Sequence, residues 1–450
     1  MRMRPALLVV VAFAAMIVVG TAMLRLQSLA EGRADTELIA SAFTSVSAVC
    51  VTGLTVVDLS RDMGFGGQLA VLILIQIGGL GVLTLSNWVL LSLRGRLGVY
   101  GSILTVDTLG AHPRVSPTVL LRRIVLFTLV SEFVGALILF VRFLGDHDGG
   151  RAAWLAIFHS VSAFCNAGFS LFGDSLMAYR DDLVVNLTVM ALIVVGGLGF
   201  VAAMDVVEQV AAAVIGVRRK LAVHTRVVLG ASLLLVVTGA LLFLAFEWNN
   251  TFVTEPTGGE LLQSLFLSVT ARTAGFNTVD TAHLTNMTLV ILIVLMAIGA
   301  SPGSTGGGVK TTSMVLQWAL LRSHLLNRPD TEVRGRRVPP ELVAKAMALV
   351  LLYGCVVVVG MVALQATEYG ELPHNETRGL FLEHLFEVVS ALSTVGLSMG
   401  LTTRLTDGGL LVLMVLMFVG RVGPLVIAAS LIGERPQFDY RLPEADVMVG

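Results

Sequence analysis

Charge is scarce in this sequence: of 450 residues only 14% are Asp, Glu, Lys or Arg. A soluble globular chain carries nearer ~25%, so much of this surface meets something other than water. Cysteine is scarcer still. Cys50, Cys165 and Cys355 all lie in apolar surroundings, which excludes a disulfide framework and a clustered thiolate metal site. His159 and His384 lack the HExxH spacing of a zinc hydrolase and read as structural. No nucleophile-and-base pair stands out, so no enzymatic activity is expected. The formal net charge of −1 singles out no polyanionic partner, and no nucleic acid is expected as one.

What is present is apolar: 55% of the residues are hydrophobic and the mean hydropathy is +0.86. A helix needs about 20 apolar residues to cross a bilayer. Eight runs approach or exceed that length: Ala6–Leu24, Gln68–Leu91, Ile124–Val141, Leu183–Val214, Val227–Phe246, Met287–Ala300, Ala344–Ala363 and Gly408–Ile432. The first follows Met1-Arg2-Met3-Arg4, but it is too long for a signal peptide and has no small-x-small site before Arg25, so it is expected to be retained. Alternating the connections between two sides gives 19 Lys and Arg on one side and 9, including Arg272, on the other, with Lys310 and Arg421 left inside the membrane. The richer side is expected to be cytoplasmic, with both termini there and the protein in the cytoplasmic membrane.

Between spans one and two, three and four, five and six, and seven and eight lies a half-hydrophobic stretch. The four read AFTSVSAVCVTGL (42–54), IFHSVSAFCNAGF (157–169), SLFLSVTARTAGF (264–276) and LFEVVSALSTVGL (385–397). Each ends in glycine followed by Phe or Leu, and Gly53, Gly168, Gly275 and Gly396 are 115, 107 and 121 residues apart. Phe43, Phe158 and Phe386 stand ten residues before their glycines, and Phe266 nine before Gly275. A dozen residues make a helix reaching halfway across a bilayer. The return must then be extended, with its backbone facing something polar. Four such returns about one axis would offer rings of carbonyl oxygens to a monovalent cation. No carboxylate lies within the turns, which argues against a divalent-selective acidic ring. Asp58 and Asp280, five residues past their glycines, read either as solvated loop residues or as a cation-attracting vestibule.

At these motifs the sequence resembles the Trk/Ktr/HKT superfamily of potassium transporters over nearly the whole chain. Eight spans without an extra helix pair at the start are most like the KtrB-type membrane subunit of the TrkH family. The resemblance implies an all-α membrane protein whose eight transmembrane helices form four outer helix, pore helix, filter and inner helix repeats around one pore. The expected divisions fall at 1–95, 96–218, 219–330 and 331–450. It implies a potassium filter of Val51, Thr52 and Gly53, Asn166, Ala167 and Gly168, Thr273, Ala274 and Gly275, and Thr394, Val395 and Gly396, with K+ held there. It further implies a homodimer and a cytoplasmic nucleotide-binding RCK ring of the KtrA/TrkA type, so that nucleotide would be bound by the partner and no cofactor by this chain. Channel-like potassium uptake is the expected function, with a secondary transporter of another cation or solute as the alternative. The basic stretches Arg94–Arg123 and Arg322–Lys345 are suitable docking surfaces for the ring.

The sixth span breaks at Gly299-Ala300-Ser301-Pro302-Gly303-Ser304-Thr305-Gly306-Gly307-Gly308-Val309-Lys310, where proline and glycine cannot continue a helix. It is not a phosphate-binding loop, because Val309 separates the last glycine from Lys310. It is either a kinked helix end or, as the resemblance implies, a gate below the filter containing Gly303, Gly306, Gly307, Gly308 and Lys310. Arg421, near the middle of the last span, costs at least ~2.5 kcal/mol to insert, so it faces a pore or a partner group. The resemblance makes it an electrostatic barrier; a structural pairing with a carbonyl is the other reading. For Glu132, inside the third span, packing against a neighbouring hydroxyl and function remain alternatives. The sequon at Asn375–Thr377 is read as a chance match.

Overall fold

The computed structural model describes residues 5–31, 37–92, 117–217, 219–251, 259–370, 372–373, 375–423 and 426. Arg2, Arg4, most of the basic stretch Arg94–Arg123 and the end of the eighth apolar run lie outside the described residues. Within them the regular structure is helical, apart from a hairpin pairing Glu332–Val333 with Arg336–Arg337 and a single bridge between Ile298 and Val309.

The helices recur in one order. A long helix is followed by a short buried one, a turn, and another helix that leads away. The first set is α1 (Pro5–Ala30), α2 (Leu38–Cys50) and α3 (Phe65–Ser92); the second is α4 (Pro117–Phe143), α5 (Gly149–Cys165), α6 (Leu183–Gly197) and α7 (Phe200–Val214). The third is α8 (Val223–Glu247), α9 (Glu260–Thr270), α10 (Asn286–Ala297) and α11 (Thr311–Leu325), and the fourth is α12 (Pro340–Glu368), α13 (Leu380–Leu392) and α14 (Asp407–Val422).

Helices α1, α4, α8 and α12 are each long and apolar enough to cross a membrane, and the bent pair α6 and α7 adds a fifth candidate. They turn large apolar side chains outward: Val19, Phe133, Leu233 and Val359 are 65%, 69%, 66% and 67% exposed. Such a surface is a liability in water and is the expected one against lipid. The short helices are the reverse. Their aromatic residues Phe43, Phe158, Phe266 and Phe386 are fully buried.

Polar contacts and small residues join the two kinds of helix. Ser45 donates to the Ile17 carbonyl at 2.8 Å, Ser160 to Glu132 at 2.6 Å and Ser268 to Val236 at 2.8 Å. One turn further along each long helix stands a glycine, Gly20, Gly135 or Gly239, where a Cβ would come within 2.4, 2.7 or 2.3 Å of that same hydroxyl. Close approach through small residues, sealed by a hydroxyl bond, is how helices associate without a hydrophobic drive. In the fourth set Val388 holds the serine's register and packs beside Gly360 without a bond.

A second device ties the end of each long helix to the start of the helix that leads away. Glu247 accepts from the Thr285 amide and hydroxyl, both at 2.9 Å, and Thr285 in turn caps α10. Glu368 does the same for Thr406 at the start of α14, at 3.1 and 2.7 Å. Glu31 accepts from the Gly64 amide at 3.0 Å just before α3. In the second set the acid is the cap itself: Asp182 accepts from Val185 at 2.9 Å and is held by Arg142 of α4.

Three sequence expectations are corrected. The apolar run Leu183–Val214 is not one straight span: α6 and α7 meet at 109°. Gly199 takes φ +85° at the corner, and the Phe200 amide donates out of the helix to the Gly303 carbonyl at 2.9 Å. The sixth run ends as a helix at Ala297 rather than Ala300. Arg272, counted with the outer connections, is instead buried at 7% exposure directly after α9 and donates to Ser232 of α8 at 3.1 Å.

The Glu247 tie is expected to be worth about 0.5–2 kcal/mol, the usual range for a lost cap. Glu247→Ala should therefore lower the detergent-solubilised unfolding midpoint, while Glu376→Ala, exposed in a loop, should leave it unchanged in the same thermal scan.

Candidate functional site

The ends of the four short helices are built alike. After Cys50, Cys165 and Leu392 the chain turns through a Schellman pattern. Thr52, Ala167 and Val395 donate to the carbonyls of Ser47, Ser162 and Ser390, and the residues before them, Val51, Asn166 and Thr394, donate three residues back. Those three preceding residues sit in the left-handed region at φ +57°, +59° and +51°, and Thr273 of the third set sits there too at +74°. Left-handed backbone costs a non-glycine residue roughly 1–2 kcal/mol, and three of these four are β-branched, the type that least tolerates it. The next residue but one is in each case the motif glycine, also at positive φ.

The hydroxyl four residues beyond each buried phenylalanine holds the turn. Ser47 and Ser390 accept from the amides of Gly53 and Gly396 at 3.0 and 3.1 Å, while Ser162 and Thr270 donate to the carbonyls of Phe169 and Phe276, each at 2.8 Å. This register explains the odd spacing of Phe266. Counted from the aromatic residue, Thr270 falls in line with the three serines, and the third turn is one residue shorter. Its Ala274 amide accordingly reaches back four residues, to Thr270 at 2.9 Å, where the others reach five.

The glycines close a ring. A Cβ built on Gly53 would lie 2.4 Å from the Ala167 carbonyl oxygen, and one on Gly168 would lie 2.8 Å from that of Ala274. One on Gly275 would lie 2.3 Å from that of Val395, and one on Gly396 would lie 2.1 Å from that of Thr52. Each turn thus abuts the next in chain order and the fourth abuts the first. No side chain fits at these positions. All twelve residues of the expected filter are brought together in this ring.

On one side the ring opens into a cavity of about 410 Å³, lined by residues that follow all four glycines, including Asp58, Ser170, Asp280 and Ser398. Both acids singled out in the sequence therefore border the cavity. Asp280 also accepts from the Ala282 amide and lies 2.9 Å from His283 Nδ1.

On the other side lies the glycine-rich break between α10 and α11. A Cβ on Gly306 would come within 2.1 Å of Thr273 Oγ1, and one on Gly307 within 2.3 Å of Thr394 Oγ1, so this loop packs directly against the third and fourth turns. Ser301 and Thr305 donate to Gly197 and Gly196 of α6 at 3.0 and 3.3 Å, and the Thr305 hydroxyl reaches Phe164 O at 3.2 Å. Lys310 donates to the Gly306 carbonyl at 2.7 Å. Arg421, 6% exposed, crosses from α14 and donates to the carbonyls of Thr305 and, at 2.6 Å, of Gly78 in α3. The loop residues Gly303, Gly306, Gly307, Gly308 and Lys310 and the cation Arg421 are therefore one assembly.

Glu132 accepts from Gln76 at 3.3 Å and lies 3.8 Å from the Cys165 sulfur, while a neighbouring hydroxyl, that of Ser160, bonds its backbone carbonyl and not its side chain. Sequence reading missed the phenylalanine-to-hydroxyl register, the outer-helix glycines and Arg272. Aligning the repeats on the aromatic residue rather than on the glycine would have exposed the first of these.

A fourfold ring of reversed backbone, enclosed by helices whose outer faces are apolar, belongs to the class of multi-pass membrane proteins. The fold is that of a solved structure, the potassium transporter TrkH from Vibrio parahaemolyticus, with a TM-score of 0.70 at 24% identity over 94% of this chain and 84% of that one. The family model for TrkH, described as a cation transport protein, matches residues 2–439. The chain is 36% identical to the Ktr system potassium uptake protein B of Vibrio alginolyticus, over 91% of this chain and 87% of that protein. It is 34% identical to the potassium/sodium uptake protein NtpJ of Enterococcus hirae, over 100% and 98%. The chain belongs to the TrkH family of cation transport proteins.

Removing the Arg421 side-chain donors should loosen the loop. Each hydrogen bond from a charged group is worth about 1.5–3 kcal/mol. Arg421→Gln is therefore expected to speed amide exchange at Ser301 and Thr305 by about tenfold or more, measured by hydrogen–deuterium exchange on the detergent-solubilised protein. Unchanged exchange would mean that the loop is held by its bonds to α5 and α6 without Arg421.

Proposed function

We propose that the chain is the membrane subunit of a potassium uptake system, conducting K+ in a channel-like manner through the ring of turns. On this reading eight crossings make four repeats around one pore, with divisions near 1–95, 96–218, 219–330 and 331–450. The observation that carries it is the closed contact of each motif glycine with the carbonyl of the next turn. This stacks the carbonyls of Thr52, Ala167, Ala274 and Val395 around one axis, where they can replace the hydration shell of a monovalent cation. The buried hydroxyls of Thr52, Thr273 and Thr394 make no hydrogen bond, leaving further oxygens for an ion. The relatives support the same reading: one is named for potassium uptake and another for potassium/sodium uptake.

Ions would enter from the cavity bordered by Asp58 and Asp280, pass the ring, and meet the loop of Gly303, Gly306, Gly307, Gly308 and Lys310. As arranged here the loop closes the inner side, latched by Arg421, whose fixed positive charge also raises the barrier to a cation leaving the ring. Opening requires the loop to leave Thr273 and Thr394. The relatives named as parts of Ktr systems suggest that a regulatory partner supplies the force. We assign that role to a cytoplasmic nucleotide-binding RCK ring acting on a homodimer of this chain, with both termini cytoplasmic.

The test is growth at low potassium of a bacterial host lacking its own uptake systems, with the RCK partner supplied. The intact chain should restore growth. Gly275→Ser, at equal membrane expression, should weaken rescue and lower the potassium-to-sodium uptake ratio by about tenfold, the scale of ~1.4 kcal/mol of lost coordination. Failure of the intact chain, or rescue indifferent to Gly275, would overturn the reading.

A further inference from the structure

Directly after the buried phenylalanine of each short helix stands a residue that in two of the four sets reaches the outer stretch beyond the motif glycine. In the second and fourth sets it is ionisable, His159 and Glu387, and both are fully buried. In the first set it is Thr44, whose hydroxyl is bonded to Ala40 within its own helix. In the third it is Leu267, which has no polar atom.

His159 and Glu387 reach the same place. His159 Nε2 lies 3.0 Å from the hydroxyl of Ser170, two residues past Gly168, and accepts from the Leu171 amide at 3.4 Å. Its Nδ1 lies 2.7 Å from the Leu155 carbonyl. A carbonyl only accepts, so Nδ1 carries a proton and Nε2 is the atom turned to the outer stretch. Glu387 Oε1 accepts from the hydroxyl of Ser398, two residues past Gly396, at 2.6 Å, and from that of Thr402. Ser398 in turn accepts from the Gly400 amide at 3.0 Å, and its carbonyl accepts from Thr281. The ring contacts run from Gly53 to Gly168, Gly275, Gly396 and back, so the second and fourth turns face each other across the axis.

We infer that His159 and Glu387 are positioning residues for ion selection: from behind, each fixes the outer end of one of two opposite turns. The ring is then braced with twofold rather than fourfold symmetry. Two opposite turns are tied to their own helices by ionisable side chains, and the first and third lack that tie. Tilting the outer stretch of a braced turn would alter the spacing of carbonyls across the axis, which changes the relative binding of ions of different radius more than it changes the amount of folded protein. The inference rests on the filter reading above.

The experiment measures potassium and sodium uptake by the full chain with its RCK partner in the deficient host. Ser398→Ala and Ser170→Ala delete the hydroxyl each brace holds, that of Ser170 also lying 3.1 Å from the Ser175 carbonyl and accepting from the Phe172 amide at 3.0 Å, and Glu387→Leu removes one brace from the other end. Each is expected to lower the potassium-to-sodium ratio by about fivefold, the scale of one lost hydrogen bond. Glu387→Gln retains an acceptor and should keep most of the ratio, and Ser398→Ala should add little to Glu387→Leu. Thr44→Val and Leu267→Met, in the unbraced turns, should not change it. If the serine variants alter only uptake rate, in parallel for both ions, the inference is wrong. If Gly275→Ser shifts the ratio and none of these variants does, it fails while the filter reading stands. If Gly275→Ser also does nothing, both fail together.

Discussion

Everything in this molecule is arranged around a contact that backbone alone can make: the Cα of a glycine in one turn against the carbonyl oxygen of the next. There is no space for a Cβ where these contacts meet, and on the proposed reading the carbonyls crowd about one axis with dipoles of the same sign turned inward together. Such a ring is unfavourable unless rigidly held. The residues before the glycines add to the cost, because Val51, Asn166, Thr273 and Thr394 all sit in the left-handed region. What offsets this is redundancy. Each turn has a hydroxyl clamp at Ser47, Ser162, Thr270 or Ser390, and three of the short helices carrying them are bonded by serine to a long helix pressed close at a glycine.

The order of rigidity follows. Short helices buried toward their C-terminal ends are fixed by long helices, long helices are tied to the departing helices by Glu31, Glu247, Glu368 and the Asp182–Arg142 pair, and only then is a turn held well enough to keep a strained conformation. Two departing helices are nevertheless interrupted, the second at the corner between α6 and α7 and the third further along. The third departs as α10, stops at Ala297, and resumes as α11 at Thr311. The stretch between them is pressed against two of the turns. Its backbone partners come from α6, at the corner where that helix turns away into α7. The two breaks are therefore a single feature: the Phe200 amide, freed by the bend at Gly199, is satisfied by Gly303 of the loop, and Gly196 and Gly197 accept from the loop in return.

Much of this was legible in the sequence, and what was not has identifiable causes. The four glycine turns were visible because no side chain is tolerated where they meet, so the motif survives in each repeat. The break after Ala297 was visible because proline and glycine announce it. The bend between α6 and α7 was not, because hydropathy is indifferent to direction and Leu183–Val214 stays apolar throughout; only the Gly196-Gly197-Leu198-Gly199 cluster hinted at it. Arg272 was misplaced because counting charges between spans treats every such residue as a loop residue, whereas this one follows a half-span and remains at its depth. The bracing by His159 and Glu387 required distances, since neither residue type at that register implies a partner eleven positions later.

The chemistry of the Arg421 contact bears on how a closed loop can also be an opening one. A guanidinium buried against a carboxylate would form a pair whose rupture leaves an uncompensated charge, costing about 3–5 kcal/mol. Here the acceptors are the neutral carbonyls of Thr305 and Gly78, and they belong to different helical sets. On the proposed reading, a loop that withdraws would cost Arg421 one acceptor and leave it the other, and the Thr305 carbonyl would be free to meet water in the widened space. No charge is stranded. The latch is therefore weaker than a salt bridge and reversible, and on the proposed reading that suits a gate which a cytoplasmic partner must be able to move. Lys310 follows the same rule: its acceptor among the described residues, the Gly306 carbonyl, is in the loop itself, so the two can move together without separating charge from its partner.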